Sequence, residues 1–599
     1  VGVIVRQSVL LSSLVSTVLT VAAVTAAVAQ TAPQVTPGAA QPLPTAPVGV
    51  SRPVNESVLT VPPVIERPIE DDAGPRIIVT RFVIDGAADH AANGVTVSGL
   101  QQILDQSLKT QPAEGYTVNQ LQKIAGGVAT AYRAKGYVLS QSFIPAQDVH
   151  NGEVHVQVLE GRLGAIRVEG NKRFSAKTLA GPFSSDLHQA VNQDDVEARL
   201  LRLSDYAGLS VFGVFTPGRD VGDSDLVLKV QREKALDFEL GGDNYGSIYS
   251  GEYRGHAGLA WNSPFGAGDR LSLSFLKASS SSVAKGADTK YYSGDYRLPV
   301  GGGRGALTLA VNNNDYAVGG PLAGLFSGRG RVGTAGFEWE TSRSRLGRSY
   351  FYVHADTKKG EFTTSSGTSA GDIVAEEKLT DGEVGFVLDR SDRSGKGRWN
   401  VSVALLHGSN SVEAQVPPDP TKPQPIRPES DSSYTVGRIG IERMQSVTRF
   451  STLRLKLGAQ VTSNVLPTLE ESALGGPNTV RAYDVANFVG DKSATGTLEY
   501  FIGAPGFAAK PGPGGQPWGQ TFQFVLFGDY GRGWVNGTGT SGVSSERDLK
   551  GAGVGLAFNL PHRFSFRVDG AKALSATAQD RANRNFKDTR VYASFGLMF

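Results

Sequence analysis

Three groups of residues are of types that could do chemistry, and their spacing decides which of them does. Gly367-Thr368-Ser369-Ala370-Gly371 has the G-x-S-x-G spacing of a nucleophile elbow, which needs a serine on a strand-to-helix turn. Here it falls in a Ser/Thr/Gly-rich stretch with no helical pattern after it, so it reads as a surface loop. The eight histidines lack metal-ligand spacing. His150 and His155 fall on strand or turn residues of an early module. With no cysteine the chain has no thiol nucleophile, disulfide or zinc thiolate. It also lacks a phosphate-cradling Walker loop. No catalytic residue, metal or cofactor is expected, and the chain does not read as an enzyme.

The third group is an ion pair in prospect. Gly475-Gly476-Pro477-Asn478 begins a loop that continues Thr479-Val480-Arg481-Ala482-Tyr483. Val480 and Tyr483 prefer burial, yet they flank a charge. Further on comes Phe527-Gly528-Asp529-Tyr530-Gly531. In that segment Phe522, Phe524 and Leu526 share one face of an extended chain, so Asp529 falls on the other. Arginine offers a planar fork that matches a carboxylate in two-point fashion. Desolvation offsets much of the attraction in such a pair. Its expected role is therefore to fix the loop in place. A direct contact predicts that exchanging the two charges restores part of that role.

What positions these residues depends on the medium around the chain. After Gln231 no helix is expected. Segments of about ten residues alternate instead: Leu271, Leu273 and Phe275 oppose Ser272 and Ser274, and Leu453, Leu455 and Leu457 oppose Arg454 and Lys456. Phe564, Phe566 and Val568 likewise oppose Arg563, Arg567 and Asp569. Sixteen such segments begin near Leu236, Glu252, Arg270, Lys290, Gly305, Arg331, Arg348, Gly382, Gly397, Tyr434, Phe450, Ala494, Thr521, Gly551, Arg563 and Arg590. A soluble sandwich has shorter strands, of about 5–6 residues. An even count, with short turns alternating with long loops, is the pattern of a bacterial outer-membrane barrel. The connection over 504–520 is long for a short-side turn. Inside lipid every backbone donor and acceptor must pair within the protein, which requires the sheet to close. The apolar faces then meet lipid, while Arg454, Lys456, Glu499, Arg563 and Arg567 line a wet lumen. Loop 462–493 falls on the outer side and can fold back inside. The last segment places Ala593, Phe595, Leu597 and Phe599 on one face.

Upstream of 233 the texture differs. Residues 76–162 read as strand, helix, helix, strand, strand, with helices over 97–108 and from Thr117 to a stop at Gly136. Residues 163–232 repeat that order, with Asn192 as a helix cap. Two small α+β modules fit this better than one domain. Residues 30–75 hold ten prolines and read as a linker. Residues 1–29 carry Arg6, an apolar run and Ala27-Val28-Ala29, the pattern of a cleaved secretory leader rather than a retained anchor. Net charge is +2, which argues against a dedicated nucleic-acid binder.

Val480-Arg481-Ala482-Tyr483 at a loop tip, followed by Phe527, Asp529 and Gly531 in a strand, resembles the outer-membrane assembly and secretion superfamily. Two modules of the POTRA type before a sixteen-stranded transmembrane β-barrel resemble its TpsB-like members, the transporter partners of two-partner secretion that export haemolysins or adhesins. The resemblance covers residues 76–599. Ala482 stands where glycine is usual. It implies an outer-membrane translocase with its modules in the periplasm. They would capture an exported TpsA-like client by strand addition, with the edge near 209–215 favoured. The client would pass through the lumen without ATP while loop 462–493 shifts. Implied partners are that client, outer-membrane lipid, and the barrel-assembly machinery that inserts the chain. An assembly factor of the same superfamily and a passive porin-like channel are the alternatives. The first usually carries more modules, and the second has no need of them.

Overall fold

The computed structural model describes residues 59–61, 75–247, 249–281, 285–320, 323–364, 371–415, 422–537, 545–582 and 586–599. The leader expected over 1–29, most of the linker over 30–75, and Ser369 of the G-x-S-x-G motif lie outside those residues.

The described chain begins with a two-residue strand, β1 (Leu59–Thr60). The first module follows: β2 (Arg81–Asp85), helices α1 (Val97–Leu108) and α2 (Val118–Ala134), β3 (Gln141–Phe143) and β4 (Glu153–Leu159). Thr117 and Gln120 close a capping box at the start of α2, each satisfying the other's backbone N–H. Gly136, at φ 90°, ends the turn after it. Leu121, Ala125, Val128 and Tyr132 form the buried stripe of α2. They pack on Val154, Val156 and Val158, the alternate residues of β4. The sheet order is β2-β4-β3.

The second module holds β5 (Arg162–Glu169), α3 (Ala176–Ala180), α4 (Gln193–Ser204), β6 (Leu209–Pro217) and β7 (Asp223–Glu233). Asn192 caps α4 through its side-chain oxygen and donates from Nδ2 to the Lys135 carbonyl at 3.0 Å, which ties the two modules. The sheet order is β1-β6-β7-β5. Leu59 and Thr60, within the stretch read as linker, thus form a parallel edge strand against Gly213 and Val214 of β6. Leu59 is buried in that module's core. Proline biases the residue before it toward extended backbone, so Pro62 favours a short strand here as readily as a linker.

The remaining chain closes into a barrel. Its strands are β8 (Leu236–Asp243), β9 (Tyr253–Asn262), β10 (Arg270–Ser279), β11 (Asp288–Val300), β12 (Gly305–Ala317), β13 (Phe326–Ser344), β14 (Gly347–Thr364), β15 (Ile373–Ser391) and β16 (Gly397–Asn410). A two-residue bridge, β17 (Gln424–Pro425), lies parallel to β15. Then come β18 (Ser433–Thr448) and β19 (Ser451–Val461), a small hairpin of β20 (Ser472–Leu474) and β21 (Phe488–Gly490), and β22 (Lys492–Gly503). The wall ends with β23 (Phe522–Trp534), β24 (Glu546–Leu560), β25 (Phe564–Ala573) and β26 (Thr589–Met598). Sixteen strands span the wall, each antiparallel to its neighbours, as the alternating segments predict. β26 returns to β8, pairing Ser594 to Met598 against Asp243 to Glu239. That contact removes the open edges a bilayer would not tolerate.

The starting points shift most at β15, which begins nearer Ile373 than Gly382. β13, β14 and β15 run 19, 18 and 19 residues, although a span needs only about 9–11. They therefore continue past the membrane on the side away from the modules. The long connection over 504–520 folds locally into a 3-10 turn and one short helix, α5 (Trp518–Thr521). A second short helix, α6 (Ala578–Ala582), lies between β25 and β26. These two single turns are departures from the expectation of no helix after Gln231.

The second module docks on the barrel's turns. Arg202 Nε lies 2.7 Å from Glu340 Oε1, Arg343 Nη2 lies 2.6 Å from Asp205 Oδ2, and Arg345 Nε donates to Glu197 Oε2 at 2.7 Å. The end of the barrel with short turns is therefore the end that faces the modules.

Candidate functional site

Loop 462–493 leaves β19 and turns back into the barrel. Its tip reverses at Gly475 and Gly476, with φ of 102° and 88°. A side chain is strained at such angles, so glycine belongs there. Thr479 braces the turn: its Oγ1 accepts from Gly475 N at 2.8 Å. This geometry turns Arg481 toward the wall.

Arg481 is 4% exposed. Its Nη2 donates to Asp529 Oδ1 at 2.7 Å and its Nε to Asp529 Oδ2 at 2.8 Å, a two-point fork. Its backbone N–H also reaches Asp529 Oδ2, at 3.1 Å. Nη1 donates to Glu499 Oε1 at 2.7 Å and to Asp569 Oδ2 at 3.3 Å. The guanidinium carbon sits 3.4 Å from the centroid of the Phe527 ring. A cation over a desolvated ring adds roughly 2 kcal/mol. The sequence suggests one anion for this cation; the structure gives it three, with a ring beneath.

The network extends along the wall. Arg567 donates to Glu499 Oε1 at 2.7 Å and to Asp569 Oδ2 at 2.8 Å. Arg454 donates to Glu442 Oε1 at 3.0 Å and to Glu499 Oε2 at 3.3 Å. Glu499 thus accepts from three arginines. Lys456 faces the same side as Glu442, its register partner on β18, and is exposed to the lumen. Arg563 departs from the expectation: it lies exposed in the turn between β24 and β25, short of the strand that carries Arg567. Its alternation in sequence extends one residue beyond the ladder. Asp569 and Glu442 complete the network and were not singled out as site residues. Asp569 is visible in the alternation of β25, two residues from Arg567.

Around the charges is a small apolar core. Val480, Ala482 and Tyr483 are fully buried. They pack with Leu474 and Phe488 of the hairpin against Phe501, Val525 and Phe527 of the inner wall. Tyr483 OH and Ser575 Oγ are 2.9 Å apart, and Tyr592 OH donates to the Tyr483 carbonyl at 3.0 Å. A lumen wall is polar where it meets water, so this patch exists for the loop. Its signal in the sequence is β23, which reads apolar on both faces from Phe522 to Phe527 except at Gln523. Ala482, where glycine is usual, has ordinary negative φ and packs opposite Gly551, whose missing side chain leaves it room.

Two further anchors hold the loop's root. Arg427 Nη1 donates to Asp491 Oδ1 at 2.8 Å and to Glu471 Oε1 at 2.9 Å. Glu377 of β15 accepts from the backbone of Thr468 and Leu469 at 2.8 and 3.2 Å. Glu470 meets Lys358 of β14, and its Oε2 accepts from Arg438 of β18 at 2.7 Å. The loop is thereby laid along the inner wall from β14 to β25. Sequence reasoning missed this anchor, because no short motif links positions 358, 377, 438 and 470.

In the first module His155 Nδ1 lies 2.7 Å from Asp85 Oδ2, joining β4 to β2. That hydrogen bond holds the imidazole above its ordinary pKa. Among the described residues no group of ligating side chains could hold a metal ion.

A closed barrel with a loop stowed against its inner wall, joined to two α+β modules at one mouth, defines an outer-membrane β-barrel transporter. Residues 222–558 match the family described as haemolysin secretion/activation protein ShlB/FhaC/HecB, and residues 90–161 match the ShlB-type POTRA domain. The chain belongs to that family, the transporters of two-partner secretion. It lies in the outer membrane with its modules in the periplasm. Among curated relatives, the heme/hemopexin transporter protein HuxB of Haemophilus influenzae (strain ATCC 51907 / DSM 11121 / KW20 / Rd) is 21% identical over 468 residues, covering 75% of this chain and 76% of HuxB. The fold is similar to that of CdiB from Escherichia coli, with TM-score 0.67 and 19% identity over 91% of this chain and 94% of CdiB. It is also similar to BamA from Haemophilus ducreyi lacking POTRA domains 1-3, with TM-score 0.52 and 14% identity over 88% of this chain and all of that one (100%).

Proposed function

We propose that this chain exports a partner polypeptide from the periplasm through the barrel lumen, with loop 462–493 as the element that yields. The observation that carries the reading is how that loop is held. Up to residue 491, where β22 has not yet begun, side-chain contacts and the three-residue strands of its own hairpin fix it, and no backbone ladder joins that stretch to the wall in the described residues. A stowed segment held this way can leave and return. Arg481 and its carboxylates set its resting position; Val480, Ala482 and Tyr483 seat it; Gly531 makes room. Arg454, Lys456 and Arg567 line the path, and Glu499, buried under the loop at rest, joins it when the loop leaves. The chain uses no ATP and catalyses no reaction. Folding of the client outside biases its movement outward.

The modules capture the client by strand addition. The edge of β6 near 209–215, favoured from the sequence, is covered by β1 of the chain itself. Capture therefore uses a remaining edge, β2 or β3 of the first module or β5 of the second, or displaces β1. Outer-membrane lipid surrounds the apolar faces, and the barrel-assembly machinery inserts the chain. The domain limits follow the same reading, leader to 29, linker to 75, modules over 76–162 and 163–232, and barrel from 233, except that Leu59–Thr60 within the linker joins the second module's sheet.

The test compares culture medium from cells with and without the chain, by protein mass spectrometry. A large polypeptide that leaves the cell only when the chain is present supports export. Unchanged medium together with altered barrel proteins in the membrane would instead indicate an assembly factor.

A further inference from the structure

The outer wall of the barrel carries unusual charge where β10 to β15 leave the membrane. The strands run in strict register there. One row across them, on the lipid side, is Leu273, Gly294, Val311, Gly333, Thr357 and Thr380. One step further from the modules the row ends in Arg331, Lys359 and Lys378, each the direct register partner of the next. The row beyond sets Lys277 opposite Lys290 and then runs through Asp315, Arg329, Glu361 and Glu376, with Lys277 paired to Asp288. Its charges are largely balanced, and the unbalanced row is that of Arg331, Lys359 and Lys378. Like charges directly opposite each other destabilise a sheet. Lys359 and Lys378 find partial relief in Glu361 and Glu376, with Lys378 Nζ 2.8 Å from Glu376 Oε1. Among the described residues Arg331 has no carboxylate at ion-pair distance.

The height of this row follows from β13. Trp339 is 41% exposed on the lipid face near the periplasmic turn. Arg331 lies on the same face eight residues away along β13. At about 3.3 Å per residue and a tilt of about 40°, that is roughly 20 Å along the membrane normal. The apolar band is about 25 Å tall, so the Arg331 backbone stands about 5 Å short of its outer edge, and the long side chain can snorkel to the outer headgroups. Gly294 and Gly333 leave a hollow beneath it. The resulting open groove, of ≈ 750 Å³, runs from Leu273, Tyr292 and Val311 up to Arg331, Lys359 and Lys378.

We propose that this groove binds a phosphorylated glycolipid of the outer leaflet. One phosphate sits among Arg331, Lys359 and Lys378, and one acyl chain lies over Gly294 and Gly333. Arginine pairs phosphate oxygens through two parallel hydrogen bonds. A bound phosphate relieves the repulsion between the three register partners, and the apolar end of the groove fits a lipid tail and not a free anion. The inference rests on the outer-membrane placement and deepens it to a site.

The experiment uses the full chain purified in detergent and three probes: bis-phosphorylated lipid A, its dephosphorylated form, and inorganic phosphate. The readout is the temperature at which the folded barrel loses its compact gel mobility. The phosphorylated lipid is expected to raise that temperature by several degrees, and the other two to leave it unchanged. The triple variant R331Q/K359Q/K378Q is expected to lose the shift. Gly333→Leu, which fills the groove and keeps the charges, serves if the triple variant does not fold and is expected to shrink the shift. An equal shift with dephosphorylated lipid, an equal shift with phosphate alone, or a full shift in the variant that folds overturns the site. Export is scored separately in cells, so failure of the lipid site and failure of the transport reading are told apart.

Discussion

A side chain at Gly531 would place its Cβ 2.9 Å from Val480 Cγ2. The loop tip docks because position 531 of the inner wall has none. Gly551 stands in the same relation to Ala482, at 2.8 Å. Gly531→Val should therefore unseat the tip while the outer face and the ladder stay intact. Overpacking of this kind costs about 1–3 kcal/mol. Ion conductance of the reconstituted barrel is expected to rise, and export to fall. Conductance equal to that of the unaltered chain would show that Val480 has another way to seat.

Arg481→Ala removes the charge that three carboxylates share. Breaking a buried pair by deleting one partner costs about 3–5 kcal/mol. The tip should leave the wall, export should stop, and the barrel should still insert, as read by its heat-modifiable gel mobility. Arg481→Lys places one compact charge where a planar fork served several acceptors, so partial export is expected.

The charge exchange Arg481→Asp with Asp529→Arg separates a lone pair from a network. A lone pair predicts recovery. In the network found here, Asp at 481 meets Glu499 and Asp569, and no recovery is expected. Export restored by the exchange would mean that Asp529 alone holds the loop.

Glu470→Gln weakens the second anchor, where Lys358 and Arg438 converge. Single-channel recordings should show more frequent openings than the unaltered barrel, by roughly threefold to tenfold if about 1 kcal/mol of hold is lost. Combined with Arg481→Ala it should add little, because the loop is already free. A fully additive effect would place the two anchors on separate motions.

His155 tests the first module. Its hydrogen bond to Asp85 raises its pKa in the folded state. A raised histidine pKa contributes stability that is fully present below the unfolded value of about 6.5 and lost as pH rises through the folded value. NMR titration of the labelled histidines, assigned with His155→Gln, should place this one above 6.5, and Asp85→Asn should lower it toward the ordinary range, with Glu153, 3.4 Å from Nε2, keeping part of the shift.

Much of this architecture is legible in the sequence because lipid imposes a simple rule. A strand between lipid and water must alternate, so Leu453 to Leu457 announces its face without any partner in view. The capping of α2 by Thr117 and of α4 by Asn192 is similarly local. Long-range features are harder to read. Nothing near Glu377 says that it will accept two backbone N–H groups from the loop root. Leu59 and Thr60 look like linker because their partner strand lies about 150 residues further on. The inner apolar patch is hidden by the expectation that lumen walls are polar, and only the doubly apolar β23 hints at it.

On this mechanism the client travels inside the barrel. Lys456 and Leu457 are neighbours on β19, the first facing the lumen and the second the lipid. A photo-crosslinking amino acid placed at each position, in cells exporting the polypeptide found in the medium, tests that route directly. Adducts to that polypeptide from position 456 and none from 457 are predicted. Adducts from 457 alone, or from neither position during active export, would contradict passage through the lumen.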